Sequence, residues 1–410
     1  MSGFFTLDHF DLAEKRVLVR VDINSPIDPE SGKILDDTRM RRIMDTLAEL
    51  NDSKVVLLAH QSRPGKKDFT PLKEHASHLS YLLRKEVKYV DELFSSKAKS
   101  QIQSMKDGDI ILLENTRFYS EEVSLKGKPI EVHEKTQIVQ NLYPLFDYYV
   151  NDAFAAAHRA QTTLIGFARK LPSMAGRLME KEILGLERAL HGEKPSIAIL
   201  GGAKFDDSIE IAKNMLENDI ADKVLTTGAV ANMFLYASGH RLGEPSEKFL
   251  LDNGSNEELV KKAREIMNKF GERLVLPEDL AIDYNGERKE VSVEELPTEH
   301  PILDIGLETI VKYSEEIKNA RTIILNGPAG MFERDEFSLG TTEIFRAVAE
   351  SNGYSVIGGG HSVATVYQLG IENKIGHIST GGGASINFLA GRKMPVIEAL
   401  KESRRLFENL

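Results

Sequence analysis

Short apolar runs recur along the chain, and each ends in a polar or glycine-rich turn. In the first half they are RVLVRVDINSP (16–26), KVVLLAHQSRP (54–64), DIILLENTRF (109–118) and YYVNDAF (148–154). In the second half they are SIAILGGAK (196–204), KVLTTGA (223–229), RLVLPEDL (273–280), RTIILNGPAG (321–330), YSVIGGGH (354–361) and HISTGGGAS (377–385). Runs this short, rich in Val, Ile and Leu and not alternating with polar residues, predict strands buried on both faces. Between them lie amphipathic helical patterns: TRMRRIMDTLAEL, NEELVKKAREIMNKF and TTEIFRAVAE. In the first, the apolar positions 40, 43, 44, 47 and 50 fall on one helical face. Strand and helix in repetition predict the α/β class, with parallel sheets covered by helices on both sides. Two such series predict two doubly wound, Rossmann-like domains. Open sheets of this kind bind ligands beyond the carboxyl ends of their strands, where every polar cluster named above falls.

A length of 410 residues exceeds the usual reach of one hydrophobic core, which supports two domains. The stretch PSMAGRLMEKEILGLERAL (172–190) reads as a single helix, with Ser173 as N-cap and Gly192 as terminator. It lies between the two series and is expected to be the connector. The expected division is a first domain of residues 1–171 completed by 395–410, a connector and hinge over 172–192, and a second domain over 193–394.

The formal net charge of −11 repels nucleic acid and anionic membrane over most of the surface. An anionic ligand therefore needs a local basic cluster. The absence of cysteine excludes disulfides, thiolate catalysis and zinc–thiolate sites. No signal peptide is read at the N-terminus, and no apolar stretch approaches bilayer-spanning length. The expectation is a cytoplasmic protein with small-molecule partners and neither nucleic acid nor membrane. A monomer is expected, with a homodimer as the alternative.

Five cationic or switchable side chains of the first half lie just after predicted strands or on the helix that follows. They are Arg39, His60, Arg63, Arg117 and Arg159. Arg39 stands in the first turn of a helix, where a cation opposes the helix dipole. Either Asp36 or Asp37 pairs with it, or it reaches a bound anion. A lone arginine after a strand is usually a surface ion pair. Several at equivalent ends of a parallel sheet converge on one crevice, and the planar guanidinium suits phosphate and carboxylate. Asp22 and Asn24 suit a substrate hydroxyl, with an Asx turn ahead of Pro26 as the plainer alternative.

In the second half GGAK (201–204), NGPAGMFE (326–333), GGGH (358–361) and STGGGAS (379–385) follow strands. Glycine lets backbone N–H groups approach phosphate oxygens, and a following helix adds its dipole. Tight strand-to-helix packing explains one such turn, but four in one domain favour phosphate. Neither G-x-x-x-x-G-K-[ST] nor G-x-G-x-x-G is present, so neither a P-loop nor a simple dinucleotide site is indicated. Lys204 is placed to meet a transferring phosphoryl group, and Glu333 to accept from a ribose hydroxyl.

At these residues the chain resembles phosphoglycerate kinase, nearly end to end. RVDINSPID…DDTR (20–39) resembles the family's signature region. AHQSRP, ENTRF, NDAFAAAHRA, LGGAK, NGPAGMFE, GGGHSVAT and STGGGAS follow in the family's order and spacing. The resemblance implies reversible phosphoryl transfer between 1,3-bisphosphoglycerate and ADP, giving 3-phosphoglycerate and ATP, in glycolysis and gluconeogenesis. It implies an acid site at Asp22, Ile23, Asn24, Arg39, His60, Gln61, Ser62, Arg63, Arg117, His158 and Arg159. It implies a nucleotide site at Gly202, Ala203, Lys204, Asn326, Glu333, Gly358, Gly359, Gly360, His361 and Ser362, with Mg2+ accompanying ATP or ADP and no metal ligand assigned. The family's last helix returns to the first domain, which suits MPVIEALKESRRLFENL.

Two positions depart from the wider family and are similar to its archaeal branch. Ser208 stands where a second lysine is common, four residues after the GGAK lysine. His361-Ser362 stands where Asp-Thr is common, with the Asp near the metal.

Phosphoryl transfer needs positioning and charge neutralisation, and both nucleophiles are already ionised near neutral pH. No general base is required. Arg39 and Lys204 are the expected catalytic cations, brought together by closure about the 172–190 hinge. Two other readings stay open at this point: a different two-domain kinase of a small carboxylate, and an anion-binding protein that closes about a hinge.

Overall fold

The computed structural model describes residues 3–409, which divide into two compact units: 3–183 with 393–409, and 184–392. The boundary falls inside the helix Arg177–Leu190.

The first unit is built on a seven-stranded sheet. Its order is Phe5–Thr6, Ser173–Ala175, Tyr148–Asn151, Arg16–Arg20, Lys54–Leu58, Ile110–Leu113, Val87–Val90, and every pairing is parallel. The non-alternating runs are explained by burial on both faces. Val17, Val19, Val55 and Leu57 enter one apolar cluster, while Leu18, Val56 and Leu58 enter another. The chain leaves Arg16–Arg20 in one direction toward Lys54–Leu58, and its later strand Tyr148–Asn151 pairs on the other side. The loops after these strands flank the switch point, where open α/β sheets bind ligands.

The second unit has a parallel six-stranded sheet in the order Leu274–Val275, Lys223–Thr226, Ser196–Leu200, Thr322–Asn326, Tyr354–Gly358, His377–Ile378. Its switch point lies between Ser196–Leu200 and Thr322–Asn326, so GGAK and NGPAG are the two loops beside it. Ile197, Ile199, Ile323, Leu325 and Ile357 carry the core on one face. No helix among the described residues is long and apolar enough to cross a membrane.

Three local expectations are corrected. Ser173 caps nothing: Ser173–Ala175 is a strand, and the helix begins at Arg177. Met174 and Ala175 find parallel partners in Phe5 and Thr6 on one side, and in Val150 and Asn151 on the other. The buried Asp152 takes the capping role, its Oδ1 accepting from the Met179 N–H at 3.0 Å. The pattern over 38–50 forms two abutting helices, Thr38–Arg42 and Met44–Glu49, instead of one. Finally, the run at 273–280 gives a parallel strand of only two residues, Leu274–Val275. It leads into an antiparallel sheet of Glu287–Ser292, Asp279–Tyr284 and Ile302–Ile305. The turn Asn285-Gly286, both at positive φ, closes its hairpin.

The helix Pro395–Phe407 packs on the first unit, where Ser403 Oγ accepts from the Ser173 N–H at 2.9 Å and Glu402 pairs with Arg169 at 2.7 Å.

Candidate active site

The polar loops of the first unit meet at its switch point. Asp22 lies two residues beyond Arg16–Arg20. One of its oxygens accepts from the Asn24 N–H at 3.1 Å, and the other pairs with Arg39 Nη1 at 2.7 Å. The Asx turn is therefore present, and the carboxylate still has an oxygen for the guanidinium. Neither Asp36 nor Asp37 pairs with Arg39: Asp37 is taken by Arg41 at 2.8 Å. The Arg39 side chain keeps 43% of its surface exposed and can address a ligand.

Arg20 was not anticipated as a site residue, although an arginine ending an apolar strand run is itself a signal of a buried, functional charge. It is fully buried and its donors are fixed by the fold. Nε donates to Thr163 Oγ1 at 3.0 Å, Nη1 to the Val21 carbonyl, and Nη2 lies 2.8 Å from His60 Nδ1. Guanidinium has donors only, so Nδ1 of His60 accepts and its single proton sits on Nε2. Burial holds the His60 imidazole well below its usual range, and the guanidiniums of Arg20, Arg117, Arg159 and Arg39 push the same way. His60 is thus a neutral donor. Thr163 in turn donates to the buried Glu122 carboxyl at 2.6 Å, whose pKa burial raises.

Arg20, Arg117, Arg159 and Arg39 all lie near enough to His60 to act on its charge, which places them around one crevice. Arg117 is lowered to about 10, by burial first and then by Arg159 and Arg20. Arg159 is lowered by burial, with Arg20 and Arg39 acting in the same sense and Asp22 against them. His158 accepts from Arg159 Nε at 3.2 Å, and burial brings it down to about 4.

Other expected residues are framework. Ile23 is fully buried, so only its backbone can face a ligand. Buried Gln61 exchanges two hydrogen bonds with the Ser25 backbone, at 2.9 and 2.8 Å. Ser62, at φ +55°, takes the Asn24 side chain on its N–H at 2.8 Å, and its carbonyl accepts from Arg117 Nη1. Arg63 is exposed and makes no ion pair among the described residues.

In the second unit a cavity of about 340 Å³ lies against the glycine turns, with Gly202, Ala203, Gly228, Glu333 and His361 on its wall. Leu280, Ile302 and Phe249 supply its apolar side. None of these three was legible as a site residue, because an apolar wall residue looks like core. The glycines have two duties. At Gly201 a Cβ would lie 2.3 Å from the Pro328 carbonyl oxygen, and at Gly327 it would lie 2.1 Å from that of Gly201, so close packing demands both. Gly202 and Gly359 have φ of +79° and +92°, while nothing lies within 4 Å of a Cβ at Gly360. Ser362 Oγ accepts from the Gly327 N–H at 2.9 Å and so ties two of the turns together. Asn326 ends its strand buried, with its side-chain oxygen unpartnered beside Gly359. Gly358 closes the neighbouring strand.

Lys204 is exposed at the start of helix Phe205–Glu217 and has no ion-pair partner among the described residues. Ser208, one turn on, is 1% exposed, so the position that carries a lysine in the wider family is here turned into the core. His361 opens helix Gly360–Gln368 exposed, its ring centroid 5.9 Å from that of Phe332. Among the described residues no group of three or more His, Cys, Asp or Glu could hold a metal ion.

The family model for phosphoglycerate kinase matches residues 7–392. The phosphoglycerate kinase of Methanothermus fervidus is 52% identical over 408 residues, covering 99% of this chain and 98% of that protein. That of Thermoplasma acidophilum is 50% identical over 410 residues, covering 100% of each. Among solved structures, the Pyrococcus horikoshii phosphoglycerate kinase superposes with a TM-score of 0.87 at 45% identity, covering 98% of this chain and 100% of that one. The Coxiella burnetii enzyme gives 0.82 at 31% identity, covering 97% and 98%. A match of this extent to one kinase family sets aside the anion-binding reading, and the chain belongs to the phosphoglycerate kinase family of phosphotransferases.

Proposed function

We propose that the crevice of the first unit binds 3-phosphoglycerate or 1,3-bisphosphoglycerate, and that the cavity of the second binds ATP or ADP. The observation carrying the first assignment is the convergence of Arg20, Arg39, Arg117 and Arg159 around one neutral histidine in a chain of net charge −11. A bound polyanion would relieve that repulsion. In this reading the arginines hold phosphate and carboxylate oxygens, Asp22 and Asn24 take the hydroxyl, and His60 donates from Nε2. In this reading the first unit is the acid-binding domain and the second the nucleotide domain, with the helix Arg177–Leu190 as the connector.

In the direction of ATP synthesis, a terminal oxygen of ADP attacks the acyl phosphorus. The bond from phosphorus to the carboxylate oxygen breaks, and the carboxylate leaves with the electron pair. No proton moves, which fits a site whose histidine is held neutral. Arg39 and Lys204 are the cations proposed to neutralise the equatorial oxygens of the transferring group. Mg2+ would accompany the nucleotide phosphates and neutralise part of their charge.

The test is an assay of the intact chain with ATP, 3-phosphoglycerate and Mg2+, trapping the acyl phosphate with hydroxylamine. Hydroxamate formation that requires all three components is expected. ATP binding without hydroxamate, or equal turnover of unphosphorylated glycerate, would refute the substrate assignment.

A further inference from the structure

The apolar side of the nucleotide cavity contains one side chain that the fold leaves unsatisfied. Asn232 lies one turn into helix Gly228–Ser238, is 6% exposed and lines the cavity. Its carboxamide oxygen is buried with no hydrogen-bond partner among the described residues. The other buried polar side chains of the wall are engaged. Ser246 Oγ accepts from the Ile302 N–H at 3.0 Å. Asp304 accepts from Arg288 at 2.7 Å, from the Gly340 N–H at 2.8 Å and from the Ile305 N–H at 2.9 Å. A buried acceptor without a donor is costly, and native structures keep few of them unless a ligand completes the bond.

The surroundings say which part of a ligand would do so. Glycine turns suit phosphates, and exposed Glu333 suits ribose. Phe249, Leu280 and Ile302 suit the faces of an aromatic base. The unpartnered carboxamide oxygen beside such a slot is an acceptor that matches the exocyclic amine on the edge of adenine.

We propose that Asn232 is a specificity-determining residue that reads the exocyclic amine of an adenine nucleotide. This rests on the nucleotide reading of the cavity given above. No residue was expected at this position, because a lone Asn inside an apolar helix has no motif to mark it.

The test compares Mg–ATP with the Mg complex of purine riboside 5′-triphosphate, which has hydrogen in place of the amine. Both are titrated calorimetrically into the intact chain. The wild type is expected to bind ATP about tenfold more tightly, since a site built around a hydrogen bond rejects the analogue lacking it. Asn232→Leu is expected to weaken ATP about tenfold and to leave the analogue within about twofold, the coupling of a direct contact. Equal wild-type affinity for the two nucleotides, or an equal loss for both in Asn232→Leu, overturns the proposal. Should Asn232→Leu fail to fold by circular dichroism, the wild-type comparison and Asn232→Thr decide it. If ATP neither binds nor supports acyl phosphate formation, the nucleotide reading itself fails. Equal affinities with turnover intact sink only the role of Asn232.

Discussion

Asp152 offers a test in which the sign and size of an effect both follow from the structure. Its carboxyl is fully buried beneath the helix Arg177–Leu190, and a Cβ on Gly176 would lie 2.4 Å from Oδ1. Burial raises its pKa from 3.8 to about 6, with the Met179 N–H acting in the opposite direction. The folded state therefore keeps a proton between these values that the unfolded state has lost. Stability from this group is fully present below 3.8 and is lost as pH rises through about 6. About two pH units, at ~1.4 kcal/mol each, give a cost on the order of 3 kcal/mol at neutral pH. Asp152→Asn keeps the shape and the acceptor for Met179 but cannot ionise. The assay is urea unfolding of wild type and variant by far-UV circular dichroism at half-unit pH steps. The constant part of the difference reports the altered hydrogen bond. The pH-dependent part should move in favour of the variant by about 2–3 kcal/mol between pH 4 and 7. A difference that stays flat across that range, or that favours the wild type as pH rises, would refute the assignment of a buried, proton-retaining carboxyl.

His75 should act with the opposite sign. It is buried against Gln61 at 3.0 Å and its pKa falls from 6.5 to about 4 by burial, so stability should drop by about 3 kcal/mol as pH falls through that window, and His75→Gln should abolish the drop in the same unfolding assay. Arg39→Ala should reduce turnover at saturating substrates by on the order of 100-fold or more, as for loss of a transition-state donor. Retention of turnover within a few fold, with only the Michaelis constants raised, would make Arg39 a binding residue alone. Lys204→Met should behave likewise in steady-state kinetics, and loss of nucleotide affinity without loss of turnover would remove Lys204 from the transition state. Addition of 3-phosphoglycerate should raise the unfolding temperature, and Arg117→Ala should reduce that rise; an unchanged rise in the variant would take Arg117 out of the acid site.

The α/β class and the strand positions were legible because burial on both faces leaves a signal that periodicity detects, as Val17 to Val21 and Ile197 to Leu200 show. The start of the connecting helix was not. Ser173 has the chemistry of an N-cap, but strand pairing on both sides of Met174 outweighs it, and the cap arrives from Asp152, more than twenty residues away in sequence. Local sequence cannot announce a partner that only the tertiary fold supplies. The same limit hid Arg20, whose meaning comes from His60 and Thr163, and the apolar wall of the second unit's cavity, whose residues differ from core only by the space in front of them.

The glycine turns show how motif and packing divide the explanation. Their number suggested phosphate, yet Gly201 and Gly327 are demanded by each other's backbone, whatever binds nearby. What packing does not require is the open space at Gly360, the exposed Lys204 and the orphaned oxygen of Asn326. The first unit has the same property in electrostatic form. Burial and neighbouring guanidiniums lower the pKa of half-buried Arg117 and Arg159, and Asp22 compensates only in part. A fold selected for stability alone would pair or expose such charges. Both units therefore hold groups that the described residues satisfy only in part: crowded cations in one, and a buried acceptor and an exposed lysine in the other. The counterparts proposed for them, a polyanion and a nucleotide, are the two halves of a phosphoryl-transfer reaction.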